Sequence, residues 1–552
     1  MKILLVNPKF PITYWGFQYA LSFSSARVML PPLGLITLAA LLPETWEFRL
    51  VDLNAHDLDD DAIRWADAVF VGGMRVQRES MHEVITRAHA LDKRVVVGGP
   101  APTTSPSEFA DADLIFEGEA EERVAELVAA VEAPRGAIRR IAKGAKTPSM
   151  GSSPVPRFDL LNLADYDTMS VQFSRGCPYR CEFCDIIEIY GRVPRMKSPA
   201  QVLAELNTLH DLGWHSAIFV VDDNFIGNRP AVKKLLPELI AFQERLGYPF
   251  DLSTEASVNL AADDELVSQM VTAGFSQVFI GIESPSPEAL AAAQKTQNLR
   301  IDLLGAVEKL SSAGLEVMAG FIVGFDQDGP EVFEAQRAFI QSSPIPIAMA
   351  GLLMALPETQ LWRRLVREGR LRRQSTGDQF GRPNFLPSLD EETLVKGYAE
   401  LLGSLYEPDA YYARCEAHVL RAGRVPGGSR VRLRDIARLA QVMWVLGVVR
   451  PRRRNFWRLL FTTLRHARHN LRRAVVLAVM GEHMIRYTRE DVLPRLAEAL
   501  AEIQAERAAG PDLEVACELV DEAPELAVAN ESWAASAMGA RRGVRRETCE
   551  AD

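Results

Sequence analysis

Three cysteines fall within eight residues, in the run Cys177-Pro-Tyr-Arg-Cys181-Glu-Phe-Cys184. The run follows a strand-like stretch ending in Phe-Ser-Arg-Gly and opens a loop before a helical segment. Three thiolates on one short loop can hold three irons of a [4Fe–4S] cluster and leave the fourth iron open. An open iron can bind the amino and carboxylate groups of S-adenosylmethionine (SAM), pass an electron to its sulfonium and release a 5′-deoxyadenosyl radical. The cofactors carry such chemistry, and the protein supplies position and a dry pocket. The rival readings fit less well. A structural zinc site usually wants four ligands in two spaced pairs, and no fourth Cys or His lies near. A redox pair would use Cys181-x-x-Cys184 and leave Cys177 unexplained. Three purely structural cysteines at this spacing after a strand would be unusual.

A chain of 552 residues is long enough for three or four domains at about 100–200 residues each. Its hydrophobic content of 48% and charged content of 24% are ordinary for a globular protein, and its net charge of −11 argues against a general nucleic-acid binder. The other cysteines, Cys415, Cys517 and Cys549, are scattered, which fits a reducing cytoplasm rather than a secreted disulfide framework. MKILLVNPKF reads as a first strand, not a signal peptide. No apolar run reaches the roughly 18 residues of a membrane span.

Elements must position the cysteine loop. Residues 1–135 alternate β runs (2–6, 47–52, 68–72, 95–98, 114–116) with helical stretches (34–42, 80–91). Such alternation predicts an α/β, doubly wound, Rossmann-like domain. Its ligand would lie at the carboxyl ends of the strands. Those ends carry Asn7-Pro8, Asp52-Leu53-Asn54, Gly72-Gly73-Met74, Gly98-Gly99-Pro100 and Glu117-Gly118-Glu119. Any one pair could simply make a tight turn; five such loops on one edge favour a ligand site. Residues 136–167, rich in Lys, Pro, Ser and Gly, read as a linker. Residues 168–385 contain six further strand candidates (170–174, 217–221, 251–255, 277–282, 316–322, 348–353) and predict a partial (β/α)6 barrel whose top face carries the chemistry. Residues 386–505 read as a helical domain, and 506–552 as an acidic, Ala-rich tail, partly disordered.

The cysteine run, with Phe183 before the last cysteine, resembles the signature of radical SAM enzymes. The resemblance extends along the barrel. It implies that Asp222-Asp223-Asn224 meet the SAM amino group and that Glu255 and Glu283 reach its ribose or methionine part. It also implies that the Gly320–Gly324 stretch passes under adenine. The first domain resembles the cobalamin-binding domain of cobalamin-dependent radical SAM enzymes through Leu30-Pro-Pro-Leu-Gly-Leu35 and the later VDLN and VGGP runs. This implies corrinoid contacts from Gly72, Gly73, Met74, Gln77, Gly98, Gly99, Glu117, Gly118 and Glu119. There is no DxHxxG, and His56 is mis-spaced to serve as a lower axial ligand. A nicotinamide dinucleotide is disfavoured because GxGxxG is missing from the first βα turn.

The runs CPYRCEFCDIIEIYGRVPRMKSP and VVDDNFIGNRP are similar to the group that includes hopanoid C-2 methylases. The resemblance implies methylation of an unactivated carbon of a lipid or other small molecule, with a reducing donor such as flavodoxin or ferredoxin. A radical cyclase, oxidase or carbon–carbon coupling enzyme stays open, as does a non-catalytic iron–sulfur redox protein. From Arg421 to Arg473 there are fifteen arginines and one acidic residue, Asp435, interleaved with Trp444, Phe456, Trp457, Leu460, Phe461 and Leu464. Such a segment can pack its apolar face on the core or lie on an anionic membrane. Packing at a domain junction is the expectation for Tyr406, Tyr411, Tyr412 and Arg414.

Overall fold

The computed structural model describes residues 1–426 and 433–509, with the side chains of 433–435 left aside. Most of the expected tail therefore lies outside the described residues, as does part of the basic segment. The centre of the first sheet is built from apolar runs buried on both faces. Strands β1 (Lys2–Asn7), β2 (Glu47–Asp52), β3 (Ala68–Gly72), β4 (Arg94–Gly98), β5 (Leu114–Phe116) and β6 (Arg140–Ile141) lie in the order β2-β1-β3-β4-β5-β6, all parallel. The period of two divides the core. Leu4, Val6, Val69, Val71, Val95 and Val97 face one helical layer with Met81 and Ile85. Ile3, Leu5, Phe70, Val96 and Leu114 face the other, with Leu42, Leu127 and Val131. β6 falls in the expected linker. A two-residue strand is too short to show a period, and only the buried Ile141 marks it.

The second sheet uses β7 (Met169–Val171), β10 (Ala217–Val220), β11 (Asp251–Ala256), β12 (Phe275–Glu283), β13 (Glu316–Val323) and β14 (Ala348–Leu352), parallel and in chain order. The expected strand over 170–174 divides. β8 (Ser174–Arg175) turns away to pair antiparallel with β9 (Arg195–Met196). The turn is fixed by Gly176 at φ +94°, where a Cβ would stand 2.8 Å from the Gly191 carbonyl. In β11 the residues alternate: Leu252, Thr254 and Ala256 are buried under the helices, while Asp251, Ser253 and Glu255 keep surface toward the inner side.

β14 is one of the two edges of this sheet, and an uncovered edge invites unwanted strand pairing. The helical region covers it. Tyr406 Oη donates to the Ala348 carbonyl at 2.7 Å and Tyr398 Oη to that of Ala350 at 2.9 Å. Arg414 Nε donates to the Ile345 carbonyl at 3.1 Å. Tyr406, Tyr411, Tyr412 and Arg414 are all buried at this junction, as expected from the sequence. The segment after β1 crosses to the same helices. Tyr14 Oη shares a 2.6 Å hydrogen bond with Thr488 Oγ1, Tyr19 Oη donates to Asp491 at 2.8 Å, and His483 Nε2 meets the Thr13 carbonyl at 2.9 Å. Burial pushes the His483 imidazole down to about 4, so it stays neutral.

One ion pair inside the barrel wall has almost no contact with solvent: Lys197 with Glu205, both under 5% exposed. Lys197→Met should cost about 3–5 kcal/mol, because it strands a buried carboxylate. Lys197→Met with Glu205→Leu should recover most of the loss. Urea denaturation of the cluster-free protein checks both.

Candidate functional site

The cysteine loop hangs from the ends of β7 and β10. Asp222 accepts from the Phe173 amide at 2.8 Å and the Ser174 hydroxyl at 2.6 Å, so both its oxygens are engaged in holding the strand end. Asp223 accepts from the Gly176 amide at 2.8 Å. Asn224 donates to Ser257 Oγ at 3.2 Å and points its amide nitrogen at Cys177 Sγ, 3.9 Å away. The Asp-Asp-Asn run thus fastens one strand end to the cysteine loop.

Cys177, Cys181 and Cys184 are free thiols. Gln297 Nε2 stands 3.7 Å from Cys181 Sγ. Burial raises the Cys184 thiol well above its ordinary range, with Asp185 and Cys181 adding to the effect, so cluster assembly must displace its proton. Among the described residues no three Cys, His, Asp or Glu side chains converge on one ion. A cubane cluster takes its thiolates on separate irons, and amide donors to sulfur belong to such a site. The three thiols therefore suit a [4Fe–4S] cluster, in the only such motif of the sequence.

Sequence reasoning missed the cation here. Lys295 Nζ bonds Glu283 Oε1 at 2.6 Å and lies 6.0 Å above the Phe183 ring. Burial alone would lower its pKa, but the Glu283 carboxylate and the Cys181 thiol outweigh that and hold it raised. Glu283 itself sits at φ +65°, at a break in the β12–β13 register that turns its side chain toward Lys295. The spacing of twelve residues between Glu283 and Lys295 carries no periodic signal.

Among the described residues, Asp222, Asp223 and Glu255 form no ion pair with a cation. Burial pushes Glu255 up to about 8, helped by the Asp223 carboxylate. Burial likewise pushes Asp223 up to about 7 against the Gly176 hydrogen bond, and Asp222 up to about 6. Glu255 pairs in register with Phe279 of β12. The Phe279 ring meets Trp15 of the first domain at 4.8 Å between centroids. Gly320 makes room for that ring, since a Cβ there would lie 2.9 Å from Phe279 Cζ. Gly324, at φ +102°, closes the strand with its amide on Asp328 Oδ2 at 2.8 Å.

The first domain presents its strand ends to this region. Gly99, at φ +97°, lies against Gly73, where a Cβ would come within 3.1 Å of its carbonyl, and Gly72 abuts Leu35. Gly98 leaves its Cβ position 3.5 Å from the Phe116 carbonyl. Met74 beside them is 53% exposed. At Gly72 and Gly99 the missing Cβ serves close internal packing, so the strand ends offer backbone beside the exposed Met74. Gln77 is spent locally: it accepts from the Met74 amide at 2.8 Å and donates to the Pro8 carbonyl at 2.6 Å. Glu117 pairs with Arg140, and the Gly118 amide donates to Thr103 at 2.9 Å. His56 bonds Asp165 through Nε2 at 2.8 Å and is half exposed.

Glu119 reaches the second sheet. It pairs with Arg175 at 2.7 Å and Arg195 at 2.8 Å, while Arg175 also pairs with Glu121 at 2.9 Å. Arg175 lies two residues before Cys177. A loop of the first sheet is thereby clamped to the cysteine loop of the second. An arginine beside a Gly-Cys pair offered no signal that its partners lay more than fifty residues upstream.

A doubly wound domain locked to a partial barrel with a three-thiol loop defines a radical SAM enzyme with a corrinoid-type domain. Family models agree: the B12 binding domain matches residues 23–128, the Radical SAM superfamily residues 171–337, and a domain of unknown function, DUF4070, residues 359–493. An uncharacterized methyltransferase of Synechocystis is 43% identical, over 91% of this chain and 94% of its own. The hopanoid C-2 methylase of Rhodopseudomonas palustris is 35% identical, over 89% of this chain and 94% of its own. The fold matches that of OxsB, a cobalamin-dependent SAM radical enzyme, with a TM-score of 0.55 at 15% identity, covering 91% of this chain and 83% of that one. The chain belongs to the cobalamin-dependent radical SAM methylases.

Replacing Cys177, Cys181 or Cys184 by Ala should remove cluster iron and reductive SAM cleavage together, checked by iron and sulfide assay beside 5′-deoxyadenosine release. The acids give a second expectation. Their folded pKa values lie above the unfolded ones, so the folded state binds more protons between about pH 4 and pH 8 and stability falls as pH rises through that window. Urea midpoints of the cluster-free protein should drop from pH 5 to pH 8. The slope should flatten in Asp223→Asn/Glu255→Gln.

Proposed function

We propose that the protein methylates an unactivated carbon of a lipid or similar apolar small molecule, working in the cytoplasm and touching a membrane through the basic 421–473 segment. The observation that carries this reading is the Glu119–Arg175 clamp, which joins the glycine-lined strand ends of the first domain to the cysteine loop of the second. Holding a donor and an acceptor within reach of one another is a positioning task that can lower a barrier by several kcal/mol. The hopanoid C-2 methylase among the relatives favours a lipid.

When bound, the cluster and the corrinoid supply the electron and the methyl carrier. The chain's own residues have separate tasks in this reading. Cys177, Cys181 and Cys184 hold the cluster. Asp223 and Glu255, lacking cationic partners, receive the positively charged SAM, whose arrival favours their ionised form. Glu283 and Lys295 fix the wall beside Phe183. Gly72, Gly73, Met74, Gly98 and Gly99 form the corrinoid floor. Trp15 and Phe279 place apolar surface beside Glu255, which helps protect a substrate radical from quenching. The electron comes from a low-potential donor such as flavodoxin or ferredoxin.

Gly98→Trp should fill the floor and abolish corrinoid uptake while leaving the iron content unchanged. Anaerobic protein reconstituted with hydroxocobalamin, assayed for iron, sulfide and corrinoid on one sample, measures this. Incubation of the wild-type protein with candidate lipids, SAM and a reductant should give a product heavier by one methylene. Oxidised or cyclised products without that gain would overturn the methyl-transfer assignment to lipid.

A further inference from the structure

Between Ile436 and Gly481 the sequence contains no Asp or Glu. The helices Leu433–Trp444 and Arg453–His466, with the π-helical stretch Val445–Val449 between them, make a helical segment that overlaps this stretch inside the domain of unknown function. One face of it is spent on the core, through Val442, Leu446, Phe456, Leu459 and Leu460. The other face is not. Trp444 is 63% exposed, Phe461 61%, Val449 57% and Ile436 55%. Contacts link the π-helical stretch to the helix after it. Trp457 Nε1 donates to the Gly447 carbonyl at 2.9 Å, and Phe461 stacks on Trp457 at 5.5 Å. Adjoining exposed Trp, Phe and Val side chains mark an interaction surface.

The charges around the patch select the partner. Arg450 and Arg452 are neutralised by Glu482, and Arg458 by Glu416. Arg453, Arg454, Arg465 and Arg468 are exposed and, among the described residues, meet no carboxylate. A second copy of the chain would set arginine against arginine across the patch. A nucleic acid would leave the apolar centre wet. No helix among the described residues is long and apolar enough to cross a membrane. Aromatic rings at headgroup depth with arginines on lipid phosphates satisfy both features at once.

We infer that the Ile436–Arg468 segment is a peripheral anchor for an anionic bilayer surface, with Trp444, Val449 and Phe461 entering the headgroup layer and Arg453, Arg454, Arg465 and Arg468 binding lipid phosphates. This builds on the membrane contact proposed above and assigns it a surface and a lipid class. Each arginine near such a surface adds about fivefold in affinity at moderate salt.

The test is co-sedimentation of the full chain with phosphatidylcholine vesicles made with and without phosphatidylglycerol. Binding should require phosphatidylglycerol and weaken as salt is raised. Trp444→Ser/Phe461→Ser should reduce it at least tenfold. Arg453→Gln/Arg454→Gln should reduce it and flatten the salt dependence. Circular dichroism should be unchanged in both, since all four side chains are exposed. Equal binding to neutral vesicles, or none to either, would overturn the anchor. So would a dimer in light scattering that Trp444→Ser/Phe461→Ser dissolves, because a second copy would then cover the face. Methyl transfer to detergent-dispersed lipid is measured in parallel. Transfer without vesicle binding removes the anchor alone, and vesicle binding without transfer removes the lipid-substrate reading alone.

Discussion

Arg175 is the residue around which the two halves are organised. Its guanidinium is 13% exposed and lies between Glu119 and Glu121, with Arg195 completing the cluster on the far side of Glu119. Burying four charges is costly unless each meets a partner in good geometry. That condition is met only when the β5 end of the first sheet stands against the start of the cysteine loop. The cluster therefore acts as a gauge, because a shift of the first domain over the barrel would strand buried charge. Fork-shaped guanidinium groups suit this role better than ammonium groups would, since they bond carboxylates in a fixed plane. The same arginine is chemically continuous with Gly176 and Cys177. Whatever fixes the first domain also fixes the thiols.

The interior that results is short of positive charge. Asp222, Asp223, Glu255 and Glu283 gather at neighbouring strand ends, and Lys295 answers only Glu283 directly. Asp222 is satisfied by hydrogen bonds from neutral donors. This leaves Asp223 and Glu255 as acids that stay protonated more readily than free carboxyls. A cationic ligand entering this space gains more than it would at a surface, because the low-dielectric walls do not screen it.

The cysteine motif was legible because its spacing is a local property, and the strands because buried parallel strands read as short apolar runs between turns. Every strand of the two large sheets except β6 was visible in this way. The pairings that hold the site were not. Glu119 with Arg175, Glu283 with Lys295 and Tyr14 with Thr488 join residues whose separations follow no period, and each partner alone looks like ordinary surface polarity. Gln77, Glu117 and Glu119 sit on the expected strand-end loops but are occupied within the fold, which local sequence does not reveal. The basic segment defeated a single reading because its apolar residues divide between two faces: Phe456, Leu459 and Leu460 pack inward while Phe461, the residue after Leu460, and Leu464 face out.

The bond between Tyr14 and Thr488 spans 474 residues of chain. At synthesis rates of about 5–20 residues per second, the first segment waits roughly half a minute to a minute and a half for its partner to be made. Throughout that interval the Thr13–Tyr19 strap has neither His483 nor Asp491 to fasten to. The cysteine loop and the glycine-lined strand ends, by contrast, are both complete within the first third of synthesis. Assembly of this enzyme thus has a built-in order in time: the halves that would receive cofactors exist first, and the buckle that ties the N-terminus over the barrel is delivered last.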